Sequence, residues 1–247
     1  MAGAAVGLLA TIVLGAPARW LAGAVERATG GQLLLNDARG TVWNGSAQLV
    51  LTGGSGSQDS AALPTRADWR LRPAWGGLRA ELTSSCCTPQ PLRMLVTLRP
   101  SAVTLRVDDA VAHFPASVLT GLGTPWNTLR IEGDLQLATQ ALSVEWFEGR
   151  PRITGRAELT AQRVSSRLST LRPMGSYRIT LVGGATPTLQ LSTLEGSLRL
   201  NGTGQWLGSR LRFSGEAVAA PDREAALSNL LNIIGRRSGA RSIITIG

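Results

Sequence analysis

From Ala67 onward the chain alternates apolar and polar residues. Ala67, Trp69 and Leu71 fall on one side, and Asp68, Arg70 and Arg72 on the other. Successive side chains of a strand point to opposite faces, so this pattern predicts a half-buried strand that Pro73 is expected to stop. The scheme returns at Leu78–Thr83, Val103–Asp108, Leu129–Leu137, Ile153–Thr160, Tyr177–Leu181, Leu198–Leu200, Leu211–Ala217 and finally Ser242–Ile246. One face is apolar throughout and the other is rich in arginine.

Between these runs stand Asn44-Gly45, Gly53-Gly54, Gly183-Gly184 and Asn201-Gly202, dipeptides of the kind that join antiparallel strands. Asn44-Gly45 reads as the type I′ corner of a hairpin, with Gly40 and Gly45 supplying backbone freedom. A glycine followed by alternating residues recurs at Gly133, Gly155, Gly175 and Gly196, roughly twenty residues apart, which implies hairpin-sized units in a meandering antiparallel sheet. Helical spacing is confined to Trp20–Thr29, a stretch near Phe114–Thr120, and Asp222–Gly235. In the last of these Ala225, Leu227, Leu230, Leu231 and Ile234 recur at helical intervals and Gly235 is expected to cap the end. Gly54–Ala61 reads as a polar loop.

The uncharged run from Ala2 to Ala18 breaks the alternating pattern. A bilayer span needs about 20 apolar residues, which Trp20, Leu21 and Ala22 would complete if Arg19 snorkels. A signal peptide ending at Ala16-Pro17-Ala18 competes with that reading, as does a buried helix. The first two call for basic residues ahead of the run, where only Met1 stands. The expectation is a true start further upstream, with a cytoplasmic stub. Residues 1–22 are thus expected to be an N-terminal membrane anchor and 23–247 an exported β-rich domain.

The chain has 247 residues, 43% of them hydrophobic, enough for a substantial core in one elongated domain. All 25 basic residues are arginine; against 16 acidic residues they leave a net charge of +9 and suggest an anionic partner. The arginines are dispersed and line no helix face, so nucleic acid is not expected as that partner. Cys86 and Cys87 are neighbours without metal-type spacing and make no zinc site. They leave two readings, a vicinal disulfide or two separate thiols. Adjacent Cβ vectors in an extended chain point apart, which favours the thiols.

Catalytic chemistry is poorly supplied. His113 is the single histidine, with no nucleophile in a recognisable relation to it, and neither a G-x-S-x-G nor a P-loop pattern occurs. Gly202-Thr203-Gly204 begins like a dinucleotide fingerprint, but Leu207 stands where the third glycine belongs, and a hairpin explains the segment better. The chain reads as a non-enzyme that needs no cofactor.

Three stretches taken together resemble the type II secretion system protein N family: Gly40-Thr41-Val42-Trp43-Asn44-Gly45, Trp69-Arg70-Leu71-Arg72-Pro73, and Leu230–Gly235 followed by Ser242–Gly247. Leu168–Leu181, with Leu171, Gly175 and Tyr177, is also similar, and the resemblance runs from about Pro17 to Gly247. It implies one N-terminal membrane helix ahead of a periplasmic β-rich domain, in an inner-membrane assembly that exports folded proteins across the outer membrane, with other secretion subunits as partners. The family is also distantly similar to AsmA-like envelope proteins. The resulting expectation is a mainly β fold: an elongated, curved antiparallel sheet, open or partly closed, with a short C-terminal helix.

Two uses of such a sheet follow. The arginine-rich face and loops can meet other subunits, or the apolar face formed by Trp69, Leu71, Leu135, Leu137, Ile179, Leu198 and Phe213 can hold acyl chains beneath arginines at its rim. An ordinary closed core is the competing fate of that face. The motif residues Gly40, Thr41, Trp43, Gly45, Trp69, Pro73 and Gly235 are expected to be structural, with both tryptophans as packing anchors.

Overall fold

The structure is a computed structural model that describes residues 14–147, 150–208 and 210–247. Helix α1 (Ala18–Ala28) leads into β1 (Leu33–Gly40), β2 (Asn44–Thr52), β3 (Ser60–Ala62), β4 (Ala67–Ala74), β5 (Gly77–Thr83), β6 (Leu92–Arg99), β7 (Ala102–Val107) and β8 (Ala110–Pro115). A 3-10 helix (Ala116–Leu122) and the single turn α2 (Trp126–Leu129) precede β9 (Glu132–Phe147), β10 (Arg150–Ser165), β11 (Gly175–Val182), β12 (Thr188–Gly196), β13 (Leu198–Leu207) and β14 (Arg210–Ala219). Helix α3 (Glu224–Ile234), β15 (Arg236–Ser238) and β16 (Arg241–Ile246) follow.

All the strands belong to one antiparallel sheet, ordered β1-β2-β4-β5-β6-β7-β9-β10-β11-β12-β13-β14-β16-β15, with β3 on β2 and β8 on β9. The sheet is not closed, since β1 and β15 are its separate edges. The chain adopts the expected mainly β antiparallel architecture with a short C-terminal helix, and of the two forms left open, open or partly closed, the sheet takes the open one.

Helices cover the apolar face at its two ends. Near the β1 edge, Ala18 and Leu21 of α1 pack with Ala47, Trp69 and Leu71. Near the other edge, Leu227, Leu230 and Leu231 of α3 bury themselves against Tyr177, Leu198 and Ala217. These three leucines are at most 3% exposed, and burying each contributes about 1.5–3 kcal/mol. Glu224 in the first turn of α3 faces the positive end of the helix dipole. A third cluster joins Leu63, Cys87 and Val118 with Leu49 and Phe114.

Several local expectations are corrected. Pro73 does not stop β4: it pairs with Leu78, while β2 reaches along β4 only as far as Arg70, so no neighbouring strand requires the N–H that proline lacks. Leu129–Ile131 are not strand. Leu129 ends α2, and Arg130 turns the chain through φ 42°. Phe114 belongs to β8, which ends at Pro115, and the helical segment begins only at Ala116. Part of the polar loop 54–61 pairs with β2 as β3.

The turn assignments at Asn44-Gly45 and Asn201-Gly202 are also overturned. Thr41–Trp43 make the β1–β2 connection, and Gly45 is a strand residue paired with both Gly40 and Trp69. Asn201 and Gly202 sit inside β13, opposite Glu216 and Gly215. In both cases an aromatic ring, not a turn, requires the glycine. A Cβ on Gly45 would lie 2.5 Å from Trp69 Cζ2, and one on Gly202 would lie 2.3 Å from Phe213 Cζ. Gly235 does follow α3, but its backbone is extended rather than left-handed, so close approach is what requires glycine: its Cβ would lie 2.3 Å from the Ile243 carbonyl oxygen.

Cys86 and Cys87 form a vicinal disulfide, against the preference for separate thiols. The chain here is a turn rather than an extended segment: the amides of Cys87 and Thr88 both donate to the Ser84 carbonyl oxygen. The opposition of Cβ vectors on which the preference rested therefore does not apply.

Most of the uncharged N-terminal run lies outside the described residues. Among the described residues no helix is long and apolar enough to cross a membrane. Trp20, Leu21 and Ala22, which the sequence offers as an extension of a span, instead belong to α1, with Leu21 packed on the sheet.

Gly45→Val should lower stability by about 1–3 kcal/mol, because the added methyl groups overlap Trp69 and the Arg39 carbonyl. Denaturant unfolding measures this, and an unchanged midpoint would contradict the packing argument.

Candidate functional site

The family-motif residues gather where the chain enters the sheet. The Trp69 indole N–H donates to the Val42 carbonyl oxygen at 3.0 Å, and the Leu71 amide donates to the Trp43 carbonyl oxygen at 2.7 Å. The Asn44 amide donates to Thr41 Oγ1, and the Val42 amide to the Ala16 carbonyl oxygen. Pro17 forms a bridge with Thr41. Gly40, Thr41, Trp43, Gly45 and Trp69 thus form one clasp joining the N-terminal segment, the β1–β2 connection and β4. Pro73 stands farther along β4 and Gly235 behind α3, so the motif residues do not converge on one pocket. Trp69, 7% exposed, is a packing anchor.

Beside the clasp, the Asp37 carboxylate accepts from Arg39 at 2.7 Å and from Arg66 at 2.9 Å. The Arg39 hydrogen bond first, and Arg66 with it, holds the Asp37 carboxyl below the ordinary carboxylate range. This exposed cluster ties the bulge of β1, where Asp37 has φ 50°, to Arg66 ahead of β4.

The sheet register assembles the apolar face. Leu98 pairs with Val103, and Val103 with Trp146; one step inward Val96, Leu105 and Val144 are aligned, and Met94, Val107 and Leu142 one step further. A bulge at Ala141 keeps the same side apolar along β9 and β10. There Leu137 and Leu135 oppose Leu159 and Ala161, and Ile179 bridges Leu159 to Leu191. The seven residues assigned to this face by alternation do share it, but their surroundings differ. Trp69, Leu135, Leu198 and Phe213 are buried; Leu71, Leu137 and Ile179 are half-buried. Between the helices no described segment covers the face, and Leu98 at 60%, Val103 at 40% and Trp146 at 41% are open to solvent.

The opposite face is polar. A cavity of about 610 Å³ opens there over Gln136, Glu158, Thr160, Arg163, Arg178 and Glu195. Glu158 pairs with Arg156 and Arg178, each at 3.0 Å, and Glu195 accepts from Ser176. No nucleophile and base are brought together there. His113 is an exposed β8 residue opposite Gln136. Among the described residues no group of three or more metal-ligating side chains occurs. Burial pushes the Tyr177 phenol well above its ordinary pKa, and its hydroxyl donates to the Leu198 carbonyl oxygen. This residue serves packing beneath α3.

Alternation cannot tell an open face from a closed one, because both bury one side of each strand. The signal available in the sequence was the short supply of covering helices. At the hairpin ends Trp75 was missed because it falls in a turn, where periodicity carries no information.

An open face predicts a contrast in stability. Leu98→Gln should shift stability by no more than about 0.5 kcal/mol, whereas Leu227→Ala beneath α3 should cost about 2–5 kcal/mol. Chemical denaturation of the two variants checks this; equal, large losses would mean that the face is covered.

The model of the family described as type II secretion system (T2SS), protein N matches residues 31–244. No curated protein and no solved structure matches the chain.

Proposed function

The chain belongs to the type II secretion system protein N family, and from that premise we propose that it is an accessory subunit acting by protein–protein contact in the export of folded proteins across the outer membrane. In this reading the uncharged N-terminal run anchors it in the inner membrane, and the β-rich domain stands in the periplasm. The family match over residues 31–244 carries the proposal. The form of the sheet supports it: a broad surface with an arginine-rich face, without a catalytic constellation among the described residues, offers contact area rather than chemistry. The edge strands β1 and β15 add backbone groups open to pairing with other subunits.

One observation favours a second reading. The apolar face between α1 and α3 is uncovered, which suits an envelope protein that holds or transfers acyl chains in the manner of an AsmA-like sheet.

Deleting the gene and locating a secreted hydrolase tests both. Accumulation in the periplasm, reversed by the full-length chain, is the result expected of a secretion subunit. Normal export with altered envelope lipid or detergent sensitivity would overturn the first reading in favour of the second.

A further inference from the structure

The connections at the two ends of the sheet differ in kind. The β1–β2, β4–β5, β6–β7, β9–β10, β11–β12 and β13–β14 turns all lie at one end, because the strands they join run alternately down and up. The disulfide turn, the 3-10 helix, α2 and the entry to α3 lie at the other. The first end is where large apolar side chains are most exposed. Trp75, in the two-residue β4–β5 turn, is fully exposed, and Leu98, Trp146 and Phe147 flank the adjoining tips at 60%, 41% and 45%.

These residues do not belong to one face. At the level of the β6–β7 tip the register aligns Leu98, Val103 and Trp146 on the apolar side and Arg99, Ala102 and Phe147 on the polar side. A protein groove laid along the sheet covers one face and leaves the other wet, which gives no reason for an exposed Phe147 among arginines. A medium met end-on by both faces and the turn does give one. Aromatic rings beside arginines are the composition found where a protein enters the headgroup layer of a bilayer.

Charge agrees. Arg72 and Arg99 stand at these tips, exposed and without an ion pair to any described residue, while Glu145 at the same level faces Arg152 at 3.9 Å. In the sequence Glu148 stands between β9 and β10, outside the described residues. The entry of the chain agrees independently: Ala16 and Pro17 are fastened to Val42 and Thr41 at this end, so the uncharged run is joined to the domain there, and Trp20 in the first turn of α1 is 53% exposed.

We propose that the adjoining β4–β5 and β6–β7 hairpin tips and the neighbouring end of β9 dock end-on into an anionic lipid surface, with Trp75, Trp146 and Phe147 in the headgroup layer and Arg72 and Arg99 on lipid phosphates. From β4 to β9 this end of the sheet spans five adjacent strands, about 20 Å at the usual strand spacing. Docking stands the sheet upright on the membrane and fixes which of its ends projects. It goes beyond the secretion role and does not depend on it.

The test uses the full chain with its disulfide intact, carrying one environment-sensitive fluorophore at Ser101→Cys in the β6–β7 tip or, as control, at Gln58→Cys at the opposite end. Each is reconstituted into vesicles of phosphatidylcholine and phosphatidylglycerol, or of phosphatidylcholine alone, with a nitroxide-bearing lipid as quencher. The expected result is blue-shifted emission and lipid quenching at residue 101 in the anionic vesicles, weakened by salt, with residue 58 unaffected. Arg99→Gln should lower the ratio of docked to free tips about fivefold, the effect of one basic residue near an anionic surface. Trp75→Ser combined with Phe147→Ser, at exposed positions that support no core, should lower it further.

Residue 101 as unquenched as residue 58 would overturn the proposal. A blue shift at residue 101 without lipid quenching would also overturn it, in favour of a protein or a second copy on the tips. The measurement is blind to export, so its failure leaves the secretion role standing, and the converse holds.

Discussion

Every strand of this sheet must present its apolar side chains on the same face as both neighbours, because a slip of one residue at any junction would turn the remaining strands over. That constraint governs the rest of the structure. It explains why the bulges occur where they do: at Ala141 opposite Gly155, and at Arg163 opposite Gly133, an extra residue is absorbed without exchanging the faces of β9 and β10. Strand β9 keeps register with β7 at one end and with β8 at the other. Without those bulges the apolar strip from Leu98 through Val144 to Ile179 would be broken.

A second consequence is the use of glycine beneath aromatic rings. Trp69 lies over Gly45 and Phe213 over Gly202, so a wide side chain on one strand is accommodated by an absent one on its neighbour. The clasp around Trp69 then ties together sequence, fold and orientation: its indole holds the Val42 carbonyl, Val42 holds Ala16, and the uncharged run is thereby delivered to one end of the sheet. Burial, hydrogen bonding and the direction of chain entry all meet at this junction.

Much of the fold was legible because period-two alternation survives wherever one face is buried. Ala67–Leu71, Leu78–Thr83 and Tyr177–Leu181 show it plainly. The misreadings share a physical cause, which is that contacts distant in sequence decide them. Gly45 and Gly202 answer to cross-strand rings rather than to a local turn, and Gly235 to the approach of β16. The cysteine pair is the exception, set by a local turn at Ser84. Leu129 through Ile131 alternate acceptably but are claimed by α2 and its left-handed exit. At the candidate surface, alternation identified which residues share the apolar face, while their uncovered state depended on where α1 and α3 come to rest. Trp75 and Phe147 carried no signal in periodicity, since one lies in a turn and the other on the polar side.

The central claim is that the sheet is open and its apolar face uncovered between two helices. The most direct measurement is the distance between spin labels on the two edge strands, at Asn36→Cys on β1 and Ser238→Cys on β15, in chains diluted with unlabelled protein to remove contacts between copies. An open sheet predicts a separation far beyond the roughly 5 Å of paired strands. A distance typical of neighbouring strands would mean that the edges meet and the sheet closes into a barrel, which would contradict the account.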